Sequence, residues 1–224
     1  MSFKAQAQDP ADFIRANTRI VSPSLCPEIK LYLATEVTPL WHATEAALEQ
    51  SQLPPPYWAF AWPGGQAFTR LLLDRPELAH GRAVLDFAAG SGIAAIAAAK
   101  SGAAKITASE IDPFALAAIG LNTALNDVTV VADATDLLES PPSGWDLILA
   151  GDVCYERPMA ARVIAWLDRA VAAGAEVLVA DPGRAYLPKG GLDELARYDV
   201  PTSLDLENRK IMTTVIYRYA PSSL

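Results

Sequence analysis

From Arg82 onward the chain alternates short apolar runs with helical stretches, and the first run breaks into a loop of small residues. Ala83-Val-Leu-Asp-Phe87 reads as a strand, Ala88-Ala-Gly-Ser-Gly92 follows, and the spacing predicts a helix over 91–101. A second strand is expected over 105–110, a second helix over 113–126, a third strand over 127–131 and a fourth over 145–150. A helix over 159–173, with Pro158 near its start, leads to a fifth strand over 176–180. Runs this short and this apolar are buried on both faces, which calls for an α/β fold with a mostly parallel sheet covered by helices on each side. The final runs, 198–205 and 210–219, are joined by Leu-Glu-Asn-Arg and are expected to pair as an antiparallel hairpin at the sheet edge.

Residues 1–81 lack that alternation. Asp9-Pro10 caps a short helix, 29–33 suits a strand, and 41–50 suits a helical piece. Three prolines at 54–56 exclude a helix there, and Gly64-Gly65 reads as a flexible turn before a helix over 66–73. The segment is expected to cap a core formed by 82–224, within a single domain spanning 1–224. A hydrophobic fraction of 51% is enough for a sheet buried on both faces. The net charge of -8 argues against a nucleic-acid binder, which needs a basic face, and suits either solubility alone or steering of a basic partner. Cys26 and Cys154 make neither a disulfide framework nor a metal cluster, so no metal is expected. The first ten residues lack the apolar core of a signal peptide, and Asp86, several glycines and Lys100 interrupt the apolar stretch 83–106. No membrane association is expected, and a cytoplasmic location follows. His42 and His80 have no convergent partners and receive no role.

In such sheets ligands bind where strand tips meet a reversal of strand order. Small residues at Ala88, Gly90 and Gly92 let a ligand approach the backbone, and Glu110, ending the second strand, can accept both hydroxyls of a ribose. Gly90-Ser-Gly-Ile-Ala-Ala95 also fits the dinucleotide pattern Gly-x-Gly-x-x-Ala, so an NAD-type dehydrogenase must be weighed. Asp86 tells against it. A buried carboxylate there repels a pyrophosphate, yet suits the positive amino group of S-adenosyl-L-methionine. Asp133, after the third strand, can accept a bond from an adenine amino group. Three acids on three successive strand ends favour a cationic, phosphate-free cofactor.

On these residues the chain resembles the Rossmann-like, seven-stranded S-adenosylmethionine-dependent methyltransferases. More narrowly it resembles the protein-lysine methyltransferase branch that includes the electron transfer flavoprotein beta-subunit enzymes. The resemblance runs from Pro54 to Tyr219 and rests on Pro56-Tyr-Trp-Ala-Phe-Ala-Trp-Pro-Gly-Gly65, Leu85-Asp-Phe-Ala-Ala-Gly-Ser-Gly92, Ser109-Glu-Ile-Asp112 and Gly151-Asp-Val-Cys-Tyr155. Asp181-Pro-Gly-Arg184 strengthens the narrower likeness, while Ala88 departs from the glycine common at its position.

The resemblance implies that Asp86, Gly90 and Gly92 surround the methionine part of the cofactor, with Glu110 at the ribose and Asp133 beside the adenine, and that Ala88 and Ile111 also belong to the cofactor site. Trp62 closes one side, and Ala150 completes the cofactor set. Asp152 and Tyr155 are implied where methyl meets acceptor. Tyr57, Trp58 and Phe60 line the acceptor pocket, and Arg184 either touches the protein substrate or pairs with Asp181. The implied reaction is lysine N-methylation on a folded protein, the electron transfer flavoprotein beta subunit foremost, yielding S-adenosyl-L-homocysteine. Competing readings are another protein acceptor such as a ribosomal protein, a small-molecule amine, or a dehydrogenase or non-catalytic cofactor-binding module.

Overall fold

Asp9 accepts the N–H groups of Ala11 and Asp12 and so starts α1, Pro10–Asn17. The computed structural model describes residues 9–38, 40, 55–202, 207 and 209–221; the helical piece expected over 41–50 lies outside them. β1 (Arg19–Val21) and β2 (Leu31–Leu33) pair antiparallel as a separate small hairpin. Tyr57–Ala59 forms one turn of 3-10 helix, and α2, Pro63–Asp74, follows. Then come β3 (Ala83–Phe87), α3 (Ile93–Lys100), β4 (Lys105–Ser109), α4 (Pro113–Leu125) and β5 (Val131–Asp133). β6 (Leu147–Gly151), α5 (Arg157–Ala172), β7 (Glu176–Asp181), β8 (Leu192–Pro201) and β9 (Ile211–Tyr219) complete the chain.

The large sheet has seven strands in the order β5-β4-β3-β6-β7-β9-β8. β3 to β7 run parallel, and β9 is antiparallel to both β7 and β8. This is the α/β architecture expected. The chain winds outward from β3 to β5, then returns to lay β6 beside β3, so strand order reverses between β3 and β6. The tips there form the crevice a ligand uses.

Alternate residues feed opposite faces, as the strand period of two requires. Leu147 and Leu149 of β6 join one core cluster with Phe68, Leu71 and Leu72 of α2 and Ile96 of α3. Ile148 and Ala150 join the other, built on Trp166 and Leu167 of α5. Residues before Arg82 belong to the first cluster too, since Ile29, Leu31 and Leu33 are buried in it. Among the described residues, no helix is long and apolar enough to cross a membrane.

Three boundaries differ from expectation. α2 begins at Pro63, where a missing N–H costs nothing, so Gly64 and Gly65 lie in its first turn and are not a flexible hinge. The third strand is displaced from 127–131 to β5 because Asp127 takes φ 53° and Val128 N–H still bonds to Thr123 O, closing α4. β8 starts at Leu192, earlier than expected. It is the edge strand, and Asp193, Glu194, Arg197 and Asp199 mask its apolar pattern.

Candidate active site

After Phe87 the backbone passes through left-handed conformations at Ala88 (φ 53°), Gly90 (φ 53°) and Gly92 (φ 76°). Ala88 therefore keeps the backbone a glycine would take, at a cost of about 1–2 kcal/mol. Carboxylates pin this loop. Glu110 accepts Gly90 N–H at 3.1 Å through Oε2, and Ile111 N–H at 2.8 Å through Oε1. Burial raises its pKa, and these N–H groups oppose the shift. Asp86, only 5% exposed, accepts Ala95 N–H of α3 at 2.9 Å. Burial pushes its carboxyl up to about 8, the Ala95 N–H holding it lower and Glu110 adding to the rise.

A cavity of about 520 Å³ opens between this loop, the tip of β6 and the segment from Tyr57 to α2. That volume is in the range of small-molecule sites. Tyr57, Phe60 and Trp62 form one wall; Trp62 Nε1 donates to Tyr57 O at 2.7 Å and its ring lies 5.9 Å from that of Phe60. Tyr155 faces Tyr57 across 5.8 Å, and both rings are half exposed. Among the described lining residues, Asp86, Glu110, Asp112 and Asp152 stand against the single guanidinium of Arg184. That balance suits a cationic ligand and opposes a pyrophosphate. Among the described residues, no group of three or more His, Cys, Asp or Glu is arranged to hold a metal ion.

Asp152 follows β6 at φ 56°, with its N–H bonded to Ala180 O at 3.0 Å. Its Oδ2 accepts Gly64 N–H at 2.6 Å, which anchors it on the first turn of α2. Its Oδ1 is buried without a hydrogen bond, 3.5 Å from Arg184 Nη2. Burial drives its pKa up to about 7, with Arg184 and the Gly64 N–H pulling the other way. Burial also raises the pKa of Tyr155, which keeps its phenol neutral at physiological pH.

Of the residues singled out from sequence, Tyr57, Phe60, Trp62, Asp86, Ala88, Gly90, Glu110, Ile111, Asp152, Tyr155 and Arg184 line this cavity. Others do not. Trp58 is 2% exposed and stacks on Phe114 with centroids 6.4 Å apart, packing α1 and α4 together away from the cavity. Asp133, at the tip of β5, turns Oδ1 back to Thr135 N–H at 2.9 Å. Gly92 caps α3, where an added Cβ would lie 3.1 Å from Ile119, and Ala150 is wholly buried in the core. Arg184 pairs with Asp152 and Glu207; Asp181 receives only its backbone N–H. Sequence reasoning gave no site role to Gly64, Gly65, Phe68, Asp112, Met159 and Glu207. For Asp112 a signal was present, since an acid before Pro113 is a helix cap.

The family model of ribosomal protein L11 methyltransferase (PrmA) matches residues 68–151, the stretch from α2 to the end of β6. Among solved structures, the ribosomal protein L11 methylase of Lactobacillus delbrueckii subsp. bulgaricus superposes with a TM-score of 0.51 at 20% identity, over 72% of this chain and 81% of that one. Curated relatives align far more fully. The electron transfer flavoprotein beta subunit lysine methyltransferase of Danio rerio is 41% identical over 226 residues, 98% of this chain and 86% of its own length. The Homo sapiens protein of that name is 36% identical over 216 residues, covering 93% of this chain and 81% of the relative. Identity at that level over nearly the whole chain places it in the electron transfer flavoprotein beta subunit lysine methyltransferase family.

Proposed function

We propose that the protein transfers a methyl group from S-adenosyl-L-methionine to a lysine side chain of a folded protein, the electron transfer flavoprotein beta subunit. The observation that carries this reading is the shared cavity, lined together by acidic strand tips, Asp152 and two facing tyrosines. The curated relatives carry that acceptor in their names.

An acidic, phosphate-averse cavity fits S-adenosylmethionine. Asp86 would take the methionine amino end, and the loop around Gly90 would lie against the same part. Glu110 would take the ribose hydroxyls, since each oxygen has more than one acceptor site. Trp62 and Ile111 would supply apolar walls. Bound there, the cofactor supplies an electrophilic methyl group on a sulfonium.

The protein's own contribution is to prepare the amine. A lysine of pKa ~10.4 is neutral in about one molecule per thousand near physiological pH. Tyr57 and Tyr155 would strip water from the incoming ammonium, which favours its neutral form. Asp152 acts in the opposite sense, because a carboxylate favours the charged form; its part is to hold and aim the nitrogen, and the proton leaves to water before docking. Alignment of this kind is worth up to about 7–11 kcal/mol in favourable cases. Aromatic faces beside a cationic nitrogen or sulfur add about 0.5–1 kcal/mol.

Incubation of the purified protein with labelled methyl donor and purified electron transfer flavoprotein tests the assignment. The expected result is label on the beta subunit, located on lysine by mass spectrometry, with calorimetric binding of S-adenosylhomocysteine and none of NAD. An unlabelled beta subunit would remove that acceptor. Ribosomal protein L11 belongs in the same assay, because the match over residues 68–151 favours it as the competing acceptor.

A further inference from the structure

Three carboxylates and one guanidinium share the buried space at the Asp152 wall of the cavity. After β7, Asp181 Oδ1 accepts the N–H groups of Gly183 at 2.7 Å and Arg184 at 2.6 Å, fixing a tight turn. The Arg184 guanidinium is held by Glu207, Nη1 to Oε2 at 2.9 Å and Nη2 to Oε1 at 2.6 Å. Glu207 comes from the connection between β8 and β9, and its side chain is only 5% exposed. The same Nη2 lies 3.5 Å from Asp152 Oδ1, too far for a strong bond, and Oδ1 has no hydrogen-bond partner of its own.

The guanidinium is thus shared unequally. Paired tightly with Asp152, it would cancel the charge of that carboxylate. Absent, it would leave a buried carboxyl that takes up a proton. We propose that Arg184 and Glu207 are positioning residues, a pair in which Arg184 favours the ionised form of the buried Asp152 carboxylate while Glu207, by taking both guanidinium hydrogen bonds, keeps Arg184 from pairing directly with Asp152 Oδ1. This rests on the methyl-transfer reading above. The groups that act on Asp152 are Arg184 and the Gly64 N–H, which favour its charged form, and Asp181 and Glu207, which oppose it. Cys154 is buried close enough to feel the same carboxylates.

Carboxyl carbon-13 NMR titration of Asp152, assigned through Asp152→Asn, measures its ionisation in the full-length protein without substrate. In Arg184→Gln the midpoint is expected to rise by roughly one pH unit, and in Glu207→Gln to fall by roughly as much. Arg184→Lys keeps the charge and should restore a midpoint near that of the wild type. In steady-state assays Arg184→Gln should lower kcat/KM at pH 7 by roughly fivefold or more, mainly through KM, with affinity for S-adenosylhomocysteine unchanged within roughly twofold. Midpoints that move in one direction in both glutamine variants, or not at all, overturn the proposal. If Arg184→Gln does not fold, the fall in Glu207→Gln and the restored midpoint in Arg184→Lys must both appear or the proposal fails. Failure of the methyl-transfer reading would show separately, as wild-type protein inactive on every acceptor while the titrations still move.

Discussion

Asp86 and Asp152 are carboxylates that the fold keeps away from water, and both line the cavity. With its pKa pushed up to about 8, Asp86 is largely protonated at pH 7. A cationic ligand favours the ionised form, so cofactor binding at pH 7 is expected to release a proton. Calorimetry in buffers of different ionisation enthalpy reads that release directly; Asp86→Asn should abolish it and weaken binding by about 1.5–3 kcal/mol. The sign for stability follows from the same shift. An unfolded Asp titrates near ~3.9, so the empty protein should lose stability as pH rises from about 4 to about 8, and Asp86→Asn should flatten that slope. Asp152→Asn should leave S-adenosylhomocysteine affinity intact and cost about a hundredfold in turnover, the scale of a misaimed reactant. Unchanged turnover would remove Asp152 from the aiming role. Acids at strand tips were legible in the sequence because chain position alone puts them at a strand's end. Trp58 was not, since nothing local says whether an aromatic in Tyr57-Trp58-Ala59-Phe60 turns to the cavity or to α4.

At the scale of the element, α2 does the most to shape the site, and the sequence concealed it. A Pro-Gly-Gly run reads as a turn until something packs against it. Here an added Cβ on Gly64 would lie 2.5 Å from Asp152 Oδ2 and 2.8 Å from Ala180 O, so glycine lets the helix start sit directly on the β6 and β7 tips. Gly64→Ala should therefore destabilise by about 1–3 kcal/mol through overpacking and also reduce turnover by displacing Asp152. Gly120→Ala is the control: it lies within α4 with nothing within 4 Å of an added Cβ, and should stabilise by about 0.5–1 kcal/mol. Thermal denaturation of the two variants checks both signs. β3, β6 and β7 were legible because burial on both faces leaves a nearly unbroken apolar run. β8 was misplaced because an edge strand carries charge, and β5 because Asp127 ends α4 through a left-handed turn that the apolar pattern does not record.

Across the whole molecule, the N-terminal hairpin is tied to α4 and its C-terminal cap through two amides distant in sequence, one of which reaches on to the glycine loop. Asn122 accepts Tyr32 N–H at 2.8 Å and donates to Ser91 O at 2.9 Å, while Asn126 both accepts from and donates to the backbone of Lys30. No local pattern announces a contact between residues 32 and 122, so the sequence suggested a cap resting on a core. The packing carries Ile29 and Leu31 into the cluster that holds Leu147 and Ile216. Elements that share one core and a hydrogen-bonded clasp lose their contacts together, which predicts a single unfolding transition for the full chain. Far-UV circular dichroism should follow the whole sheet, and tryptophan fluorescence should follow Trp58 near the hairpin and Trp166 under the opposite face; their urea midpoints should coincide. Asn122→Ala leaves a part-buried N–H and a buried carbonyl unpaired, so it should lower that common midpoint by an amount equivalent to about 1–3 kcal/mol. Because Ser91 O loses its anchor in the same variant, S-adenosylhomocysteine should also bind more weakly. Two separated transitions in the wild type would show that the hairpin folds apart from the sheet. A destabilised variant with undiminished ligand affinity would show that the clasp holds the hairpin without shaping the loop.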